Sequence, residues 1–336
     1  MNVRYHLEQM SARHVLHVAK YKLPRPFCYL FRDLDRAAEA IVLRRAMRQA
    51  RPTRLQEAKE AIILALRPKR TVLFYPEWPR RTHKVTALCA LAGFRMVSDP
   101  RRAYDVAFKF HDSTVTPGEL LEGVDLNGAI NARSLDISKR TVARTFEDVF
   151  GYPLALDPTD YHGAAVRKSD ANATHDGEVI QCPIPATSLD DDAVYERLID
   201  TRTPDGLYTN YRVAVCGAVV PVVLVMYRPA DNRFDGTAHH EVVPTSNVLD
   251  RQEEERLGEF ARAMGLDYGE LDVLRDNGDG RIYVVDANNT PGTSTVGGMS
   301  ETESYKVRWR LALARAFSAM VLEFDRGRGQ YAGRDV

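Results

Sequence analysis

Three oxygen-bearing side chains lie in apolar surroundings near the end of the chain. Asp272 falls within the apolar segment LDVLR (271–275), whereas Asp286 and Asn288 fall at and just after the end of RIYVVD (281–286). Two carboxylates on apolar strands would repel each other and resist burial unless a cation lay between them. An all-oxygen set of this kind suits Mg²⁺, whose remaining ligands are commonly phosphate oxygens and water. We therefore predict Asp272, Asp286 and Asn288 as metal ligands; the alternative is an ordinary hairpin with a solvated polar face.

A β-hairpin would bring these side chains together. The two segments are rich in β-branched and aromatic residues, and Asn-Gly-Asp-Gly (277–280) between them is a strong turn signal. If the turn centres on residue 279, Asp272 lies opposite Asp286. Because strand side chains alternate between faces, the even-numbered ligands, including Asn288, share one face.

Basic side chains precede this hairpin in an order that suits a triphosphate. Lys139 lies where a helix is expected to begin, and Lys168 lies at the end of a predicted strand. Arg212 and Arg228 lie on two further apolar strands. Cations balance phosphate charge, and a metal bridges phosphoryl oxygens. Each of these four residues also has a simpler interpretation, as a solvated lysine or as an arginine on the outer side of a half-exposed sheet.

The common nucleotide and hydrolase motifs are absent from the sequence. It contains neither a G-x-x-x-x-G-K-[ST] loop nor a G-x-G-x-x-G fingerprint, and neither G-x-S-x-G nor a kinase signature set. The ordered series of cations and acids therefore carries the functional argument.

Composition limits the class of protein. A chain of 336 residues with 44% apolar and 27% charged side chains can bury a large core in two or three structural units. The four cysteines are far apart and form no C-x-x-C pair, which is typical of reduced thiols in a cytosolic protein. No apolar run of membrane-spanning length and no signal sequence is present. We expect a cytoplasmic protein without a membrane span.

The charge is unevenly distributed. Residues 1–70 hold 16 basic and 6 acidic residues, a net charge of +10, which leaves −10 for the remainder of a chain of net charge zero. Such a segment could contact nucleic acid, an anionic membrane or an acidic partner. We expect it to pack as a helical appendage instead, because its basic residues alternate with apolar ones and lack the interleaved aromatics of single-strand binders. Nucleic acid is not an expected partner.

Secondary-structure patterns divide the rest of the chain. A strand (71–76), a helix (83–93) and two further strands (94–99 and 104–110) predict a small parallel α/β unit over 71–127.

An antiparallel α+β unit is expected over 128–305. Within it, Ser138 is a suitable N-cap for a helix that ends at Gly151. A C-terminal helix and tail follow over 306–336, and the basic helical segment over 1–70 precedes both units.

The order of these residues resembles that of the ATP-grasp superfamily. There, an acid on one strand pairs with an acid-x-Asn on the next, and a Pro-Gly turn follows; the matching residues here are Asp272, Asp286, Asn288 and Pro291-Gly292. The resemblance covers roughly residues 71–296 and is strongest in the last third. It implies a mixed α/β and α+β ATP-grasp fold, with a small parallel α/β (pre-ATP-grasp) unit and an extra helical segment at the N-terminus.

The resemblance also implies nucleotide-binding roles. Lys139 and Lys168 match the two nucleotide-contacting lysines of the superfamily. Residues 169–177 match its phosphate-covering loop, and YERLID (195–200) matches the hinge strand whose backbone hydrogen-bonds adenine. The further candidate nucleotide contacts are Ser169, His175, Asp176 and Gly177 in the loop, and Glu196, Arg197 and Leu198 at the hinge.

The activity that the resemblance implies is that of an ATP-dependent, Mg²⁺-dependent ligase. A substrate carboxylate would attack the γ-phosphate of ATP, and an amine or similar nucleophile would then displace phosphate from the acyl phosphate. Arg212 matches an arginine that faces the terminal phosphate in several branches, Arg228 matches another basic position of some ligase branches, and we predict both as catalytic. ATP, one or two Mg²⁺ ions, small-molecule substrates and a homodimer are the implied cofactors and partners.

Two other functions are compatible with the same nucleotide site. One is an ATP-grasp-type kinase that phosphorylates a small-molecule acceptor. Glu270 favours this alternative, because some amide-forming members carry an arginine two residues before the first metal acid. The other is a non-catalytic ATP-binding regulator that uses the basic N-terminal segment as its interaction surface.

Overall fold

The computed structural model describes Leu64, residues 66–292 and residues 303–331, apart from 119–123, 125, 127, 173, 175, 232 and 235. All of these residues belong to one compact unit, Pro52–Val336. Most of the predicted basic helical segment, His175 and the residues that follow Gly292 up to 302 lie outside the described part of the chain.

A three-stranded parallel sheet comes first in the described chain. Strand β1 (Thr71–Pro76) lies between β2 (Arg95–Val97) and β3 (Val106–Phe110), and helix α1 (Lys84–Ala92) connects β1 to β2. A helical crossover returns the chain in the same direction, so the two strands it joins pair in parallel. Strand β3 is fully buried and the middle of β1 is buried, which is why both segments are predominantly apolar.

A five-stranded antiparallel sheet forms the largest layer. Its strands, in spatial order, are β11 (Ile282–Asn288), β10 (Tyr268–Arg275), β7 (Tyr208–Cys216), β8 (Ala218–Arg228) and β9 (His239–Pro244).

One face of this sheet forms the main core. Leu271 and Val273 belong to the same buried cluster as apolar residues of helices α2 (Lys139–Phe150) and α3 (Arg251–Ala263). Asp272 lies between these two residues, so strand alternation directs it to the opposite face. Acids can therefore occupy apolar strands here, because the apolar neighbours fill the core on the other side.

A smaller antiparallel sheet faces the same region. Strand β4 (Gly163–Ser169) lies between β5 (Glu178–Cys182) and β6 (Ala193–Arg197). Residues 170–177 connect β4 to β5, and residues 198–207 lead from β6 into the five-stranded sheet. The molecule is therefore a mixed α/β protein.

Helix α2 has the ends that the sequence predicts. The Ser138 hydroxyl accepts a hydrogen bond from the Thr141 amide at 3.3 Å, and Gly151 ends the helix with a left-handed φ of 78°. A side chain at this φ would be strained, which favours glycine at this position.

Two elements differ in length from their predicted boundaries. The apolar segment YRVAVCG (211–217) predicts a strand, and the strand that forms begins earlier, at Tyr208, because its antiparallel pairing with β8 continues to the Tyr208–Arg228 pair. The amphipathic stretch RWRLALARAFSAMVLEF (308–324) predicts the C-terminal helix, and α4 (Glu303–Tyr331) extends beyond it at both ends. Of the helices in the described residues, none combines the length and apolarity that a membrane crossing requires.

Candidate functional site

A cavity of about 380 Å³ is lined by side chains of both antiparallel sheets. Of the predicted site residues, Ser169 and Leu198 are not among its lining residues, and His175 lies outside the described residues. The predicted residues that do line it are Lys139, Lys168, Asp176, Gly177, Glu196, Arg197, Arg212, Arg228, Asp272, Asp286 and Asn288. Residues separated by up to half the chain thus meet in one space.

The two predicted metal acids face each other across the β10–β11 hairpin. Asp272 pairs directly with Asp286, and Asn288 pairs with Glu270 one step along the same face. The register shifts between Asp272 and Val273, which marks a β-bulge. Bulges re-aim side chains and are common beside functional sites.

Asp272 is held by two residues of the neighbouring strand β7. Arg212 donates from Nε to Asp272 Oδ1 at 3.2 Å, and Asn210 donates from Nδ2 to Oδ2 at 3.3 Å. Burial acts to raise the pKa of Asp272. The charge and hydrogen bonds of Arg212 act in the opposite direction and outweigh burial, so the pKa lies below its ordinary value. Asp272 is therefore an ionised carboxylate at neutral pH.

Asp286 is in the opposite electrostatic situation. Its Oδ1 atom is buried and has no hydrogen-bond partner among the described residues. Burial, and then the negative charge of Asp272, raises its pKa to about 6, against the opposing charges of Lys139 and Lys168. A buried carboxylate oxygen without a donor is the kind of atom that a cation would satisfy.

The donor set fits a hard cation. Asp272, Asp286 and Asn288 offer two carboxylates and one amide oxygen, the ligand chemistry of Mg²⁺. The Asn288 Oδ1 atom accepts a hydrogen bond from the Thr290 amide at 2.8 Å, which orients the amide group. Nowhere in the described chain, this site included, are three or more His, Cys, Asp or Glu side chains grouped to hold a metal, so the candidate site rests on two carboxylates and one amide.

The two predicted lysines approach the acids from the smaller sheet and from helix α2. Lys168 Nζ lies 2.7 Å from Glu196 Oε2 and donates to the Val285 carbonyl at 3.0 Å. Lys139 donates to the Ala171 carbonyl. Burial lowers the pKa of Lys139, and the charge of Asp286 opposes that shift. Both lysines therefore bring positive charge to the wall of a cavity that also carries buried acids.

Glu196, in the predicted hinge, is deeply buried. Its side chain is 3% exposed, and its Oε1 atom has no hydrogen-bond partner among the described residues. Burial raises the pKa of Glu196, and the charge of Lys168 works against this shift. The unpartnered oxygen on the cavity wall is a ready acceptor for a donor group of a ligand.

The segment between β4 and β5 is organised around Asp176. Its carboxylate accepts hydrogen bonds from the Ser169 hydroxyl, from the Ser169 amide at 3.2 Å and from the Thr174 hydroxyl at 2.9 Å. These bonds, led by that of the Ser169 side chain, lower the pKa of Asp176 to about 2. Ser169 thus stabilises the segment through its hydrogen bonds to Asp176 and does not itself line the cavity.

The chain is similar to ATP-grasp ligases. D-alanine–D-alanine ligase from Bacillus anthracis, complexed with ATP, is 14% identical with a TM-score of 0.48, over 79% of this chain and 99% of that one. The ligase PsnB, complexed with a phosphomimetic variant of its minimal precursor, Mg and ADP, is 14% identical with a TM-score of 0.47, over 75% and 98%. The RimK domain protein from Sphaerobacter thermophilus is 14% identical with a TM-score of 0.45, over 75% and 99%.

A second PsnB structure, complexed with the minimal precursor, is covered over 64% of its chain. No protein-family model matches the sequence, and a comparison with curated proteins finds no match.

Arg228 lies at the edge of the cavity and holds the β8–β9 connection. Its Nη1 atom donates to the carbonyls of Phe234 at 3.0 Å and Gly236 at 3.3 Å. Phe234 in turn packs so closely on Gly177 that a Cβ atom there would lie 2.8 Å from the phenyl ring. Glycine at 177 thus permits the β4–β5 and β8–β9 connections to meet beside the cavity.

Several cavity residues were not predicted. Arg233 donates to the Ile199 carbonyl at 2.6 Å and lies 4.7 Å above the Tyr208 ring, at the hinge end. Its segment is an irregular, mainly polar connection without helix or strand periodicity, so no pattern distinguishes it in the sequence. Asn210 carried a usable signal, because it lies two residues before Arg212 and strand alternation places it on the same face.

A buried ion pair joins helix α1 to the site. Lys84 Nζ hydrogen-bonds to Glu270 Oε1, and Glu270 Oε2 lies 3.8 Å from Arg212 Nε. Burial lowers the pKa of Lys84, and the charge of Glu270 opposes the shift. The carboxylate at position 270 therefore lies between two basic side chains, at a position where the sequence analysis noted an arginine in some amide-forming members.

Proposed function

We propose that the protein is an ATP-dependent ligase that activates a substrate carboxylate as an acyl phosphate for attack by an amine or a similar nucleophile. We place its nucleotide site on an ATP-grasp unit over residues 128–305, preceded by a pre-ATP-grasp unit over 71–127. One observation carries the proposal. A single cavity is lined by the unpartnered buried oxygen of Asp286 and by Lys139, Lys168 and Arg212.

The acids and cations of this cavity are complementary to a metal–triphosphate complex. Asp272, Asp286 and Asn288 would hold one or two Mg²⁺ ions, which would supply positive charge to neutralise the phosphates. The ionised state of Asp272 and the unpartnered oxygen of Asp286 support this role.

The basic residues would bind and orient the phosphates. Lys168 is fixed between the hinge acid Glu196 and the backbone of Val285, next to Asp286. Together with Lys139 and Arg212, it would balance the phosphate charge as that charge shifts toward the leaving ADP. The backbone around Arg197 and Leu198 would then contact the base.

The reaction would proceed in two displacements. A carboxylate oxygen of the substrate bonds to the γ-phosphorus while the bond to the β-phosphate oxygen breaks, releasing ADP. The amine then attacks the acyl carbon, phosphate leaves, and the amine loses its proton. The segment that carries Asp176 and Gly177 would cover the phosphates and exclude water, which would otherwise hydrolyse the acyl phosphate.

A kinase is the second candidate, and Glu270 is the observation that favours it. Some amide-forming members of the superfamily carry an arginine at this position, which could steady the reacting phosphate. This chain carries Glu270 there instead, paired with Lys84. A kinase would yield a stable phosphorylated product without any amine, whereas a ligase would release ADP and inorganic phosphate only when both substrates are present.

Calorimetric titration with ATP tests the proposal. We expect the parent chain to bind ATP with Mg²⁺ and to lose at least about tenfold in affinity in EDTA, in Asp286→Asn and in Lys168→Met. Asp148→Asn is the matched control, because Asp148 is exposed on α2 and does not line the cavity. A folded parent chain that binds no nucleotide would contradict the proposal.

A further inference from the structure

We propose that Glu270 is a positioning residue that keeps Arg212 at the site when a cation takes the Asp272 carboxylate. The inference rests on the proposed function, since it assigns how the same site accommodates its metal. It concerns a residue that no resemblance explains.

Arg212 lies between two carboxylates on one face of the sheet. Its Nε atom is 3.2 Å from Asp272 Oδ1 and 3.8 Å from Glu270 Oε2. The strand register places Arg212 directly opposite Asp272, and Glu270 is two residues earlier on the same strand. Asp272 is thus the nearer partner of the guanidinium, and Glu270 the second one.

This arrangement allows Asp272 to bind a cation although its carboxylate is paired with Arg212. A guanidinium and a divalent cation repel each other and compete for the same carboxylate oxygens. If Asp272 were the only acid beside Arg212, metal binding would have to break a buried ion pair and leave the arginine uncompensated, which is costly. Glu270 offers a carboxylate on the same side of Arg212, so the guanidinium can change partners without leaving the site.

Lys84 makes this second partner available in the protein interior. Glu270 is 5% exposed, and burying a carboxylate is costly unless a cation and hydrogen-bond donors lie beside it. Lys84 bonds to Oε1 of Glu270, the oxygen that does not face Arg212. The lysine is itself anchored, because its backbone amide donates to the Pro291 carbonyl at 2.9 Å.

A purely structural role for Glu270, as the partner of Lys84, makes a different prediction. Under that role, removing both charges together would restore the site, since a buried ion pair can be replaced by apolar residues without loss of stability. Under our proposal, the double replacement restores the fold but not the metal affinity. The double replacement also leaves the net charge of the chain unchanged, so a general loss of negative charge cannot explain weaker Mn²⁺ binding.

The experiment is a titration of the full chain with Mn²⁺ in the presence of a non-hydrolysable ATP analogue. Electron paramagnetic resonance measures the free and bound Mn²⁺. We expect Glu270→Gln to weaken Mn²⁺ binding by about tenfold, the range found when a residue supporting a metal ligand is lost. Lys84→Met/Glu270→Met should show a Tm near that of the parent and the same loss of affinity. Glu241→Gln, a carboxylate on β9 that does not line the cavity, is the control and should bind as the parent does.

The outcomes separate the two proposals. If the parent binds Mn²⁺ and nucleotide, and the double variant binds Mn²⁺ equally well, the positioning role of Glu270 is wrong while the nucleotide site stands. If the folded parent binds neither the analogue nor Mn²⁺, both proposals are wrong.

Discussion

Asp272 and Asp286 lie directly opposite each other on β10 and β11, yet their surroundings move their pKa values in opposite directions. Arg212 outweighs burial at Asp272 and lowers its pKa. At Asp286, burial and the facing charge raise the pKa to about 6. The hairpin thus carries one carboxylate whose charge Arg212 compensates and one whose charge is disfavoured by burial and by its neighbour. Such a pair suits a cation-binding site, and it lowers the stability of the ligand-free fold.

Asp286→Asn should therefore stabilise the ligand-free fold. The pKa of Asp286 is about 6 when folded and 3.8 ordinarily, so its ionisation costs stability progressively as the pH rises from 3.8 to about 6, and the full cost applies at higher pH. Removing the charge should raise the free energy of unfolding by about 1 to 3 kcal/mol at pH 7.5. Urea unfolding in EDTA measures this change. A variant that is less stable than the parent would show that the carboxylate is already well compensated.

Lys109 should make stability depend on pH in the alkaline range. Its side chain is buried, donates to the Thr116 hydroxyl at 3.0 Å and to the Ser134 carbonyl, and has a pKa lowered by burial to about 8, from 10.5. Between these two values the unfolded chain binds more protons, so raising the pH favours the folded state. Relative to Lys109→Met, the parent should gain up to about 1.4 kcal/mol per pH unit over this window.

Urea unfolding of both proteins at several pH values from 7.5 to 10 checks this expectation. Other alkaline groups titrate equally in the two proteins, so only the difference between the two curves reports on Lys109. Parallel curves would mean that the ammonium group is fully solvated or fully compensated.

Gly177→Ala should weaken ATP binding. The new Cβ would lie 2.8 Å from the Phe234 ring, closer than side chains pack, so one of the two connections beside the cavity must shift. We expect a loss of about tenfold in affinity, with little change in Tm, because both segments are at the surface. Adding Phe234→Leu should recover most of the loss. If the double variant binds no better than the single one, the contact is not the cause.

Asn131 should be essential for the start of β10. It is fully buried, its Oδ1 accepts from the amides of Asp267 and Tyr268 at 2.8 Å, and its Nδ2 donates to the Tyr268 carbonyl at 2.8 Å. Asn131→Ala leaves these backbone groups unpaired and should cost about 2 to 4 kcal/mol in the free energy of unfolding.

Asn131→Gly separates two causes of that loss. Asn131 has a positive φ of 59°, which glycine adopts without strain. Denaturation curves should show Asn131→Gly only slightly more stable than Asn131→Ala, because the hydrogen bonds are missing from both. If Asn131→Gly matched the parent, backbone strain and not hydrogen bonding would be the reason for asparagine.

Local sequence was sufficient for the hairpin that carries the candidate metal ligands. Asn-Gly-Asp-Gly favours a tight turn, and Asp272 does pair with Asp286, but through a β-bulge: Val273 pairs with Val284, so an unshifted register would have placed Val285 opposite Asp272. Ser138 and Gly151 likewise mark the ends of α2, because capping depends on one or two residues at each helix end. These features depend on short-range backbone geometry, which a residue pattern encodes directly.

Only the tertiary structure decided how the charges of the site are paired. Lys84 meets Glu270 across 186 residues of sequence, and Arg212 takes Asp272 as its partner. Arg233 reaches the hinge at Ile199 from a polar segment without any distinguishing pattern. Periodicity shows which face of an element is buried, but not which distant element packs against it. Burial and neighbouring charges set the pKa of each acid. The electrostatics of this site are therefore decided by the packing of the two antiparallel sheets and helix α1, which the sequence pattern does not show.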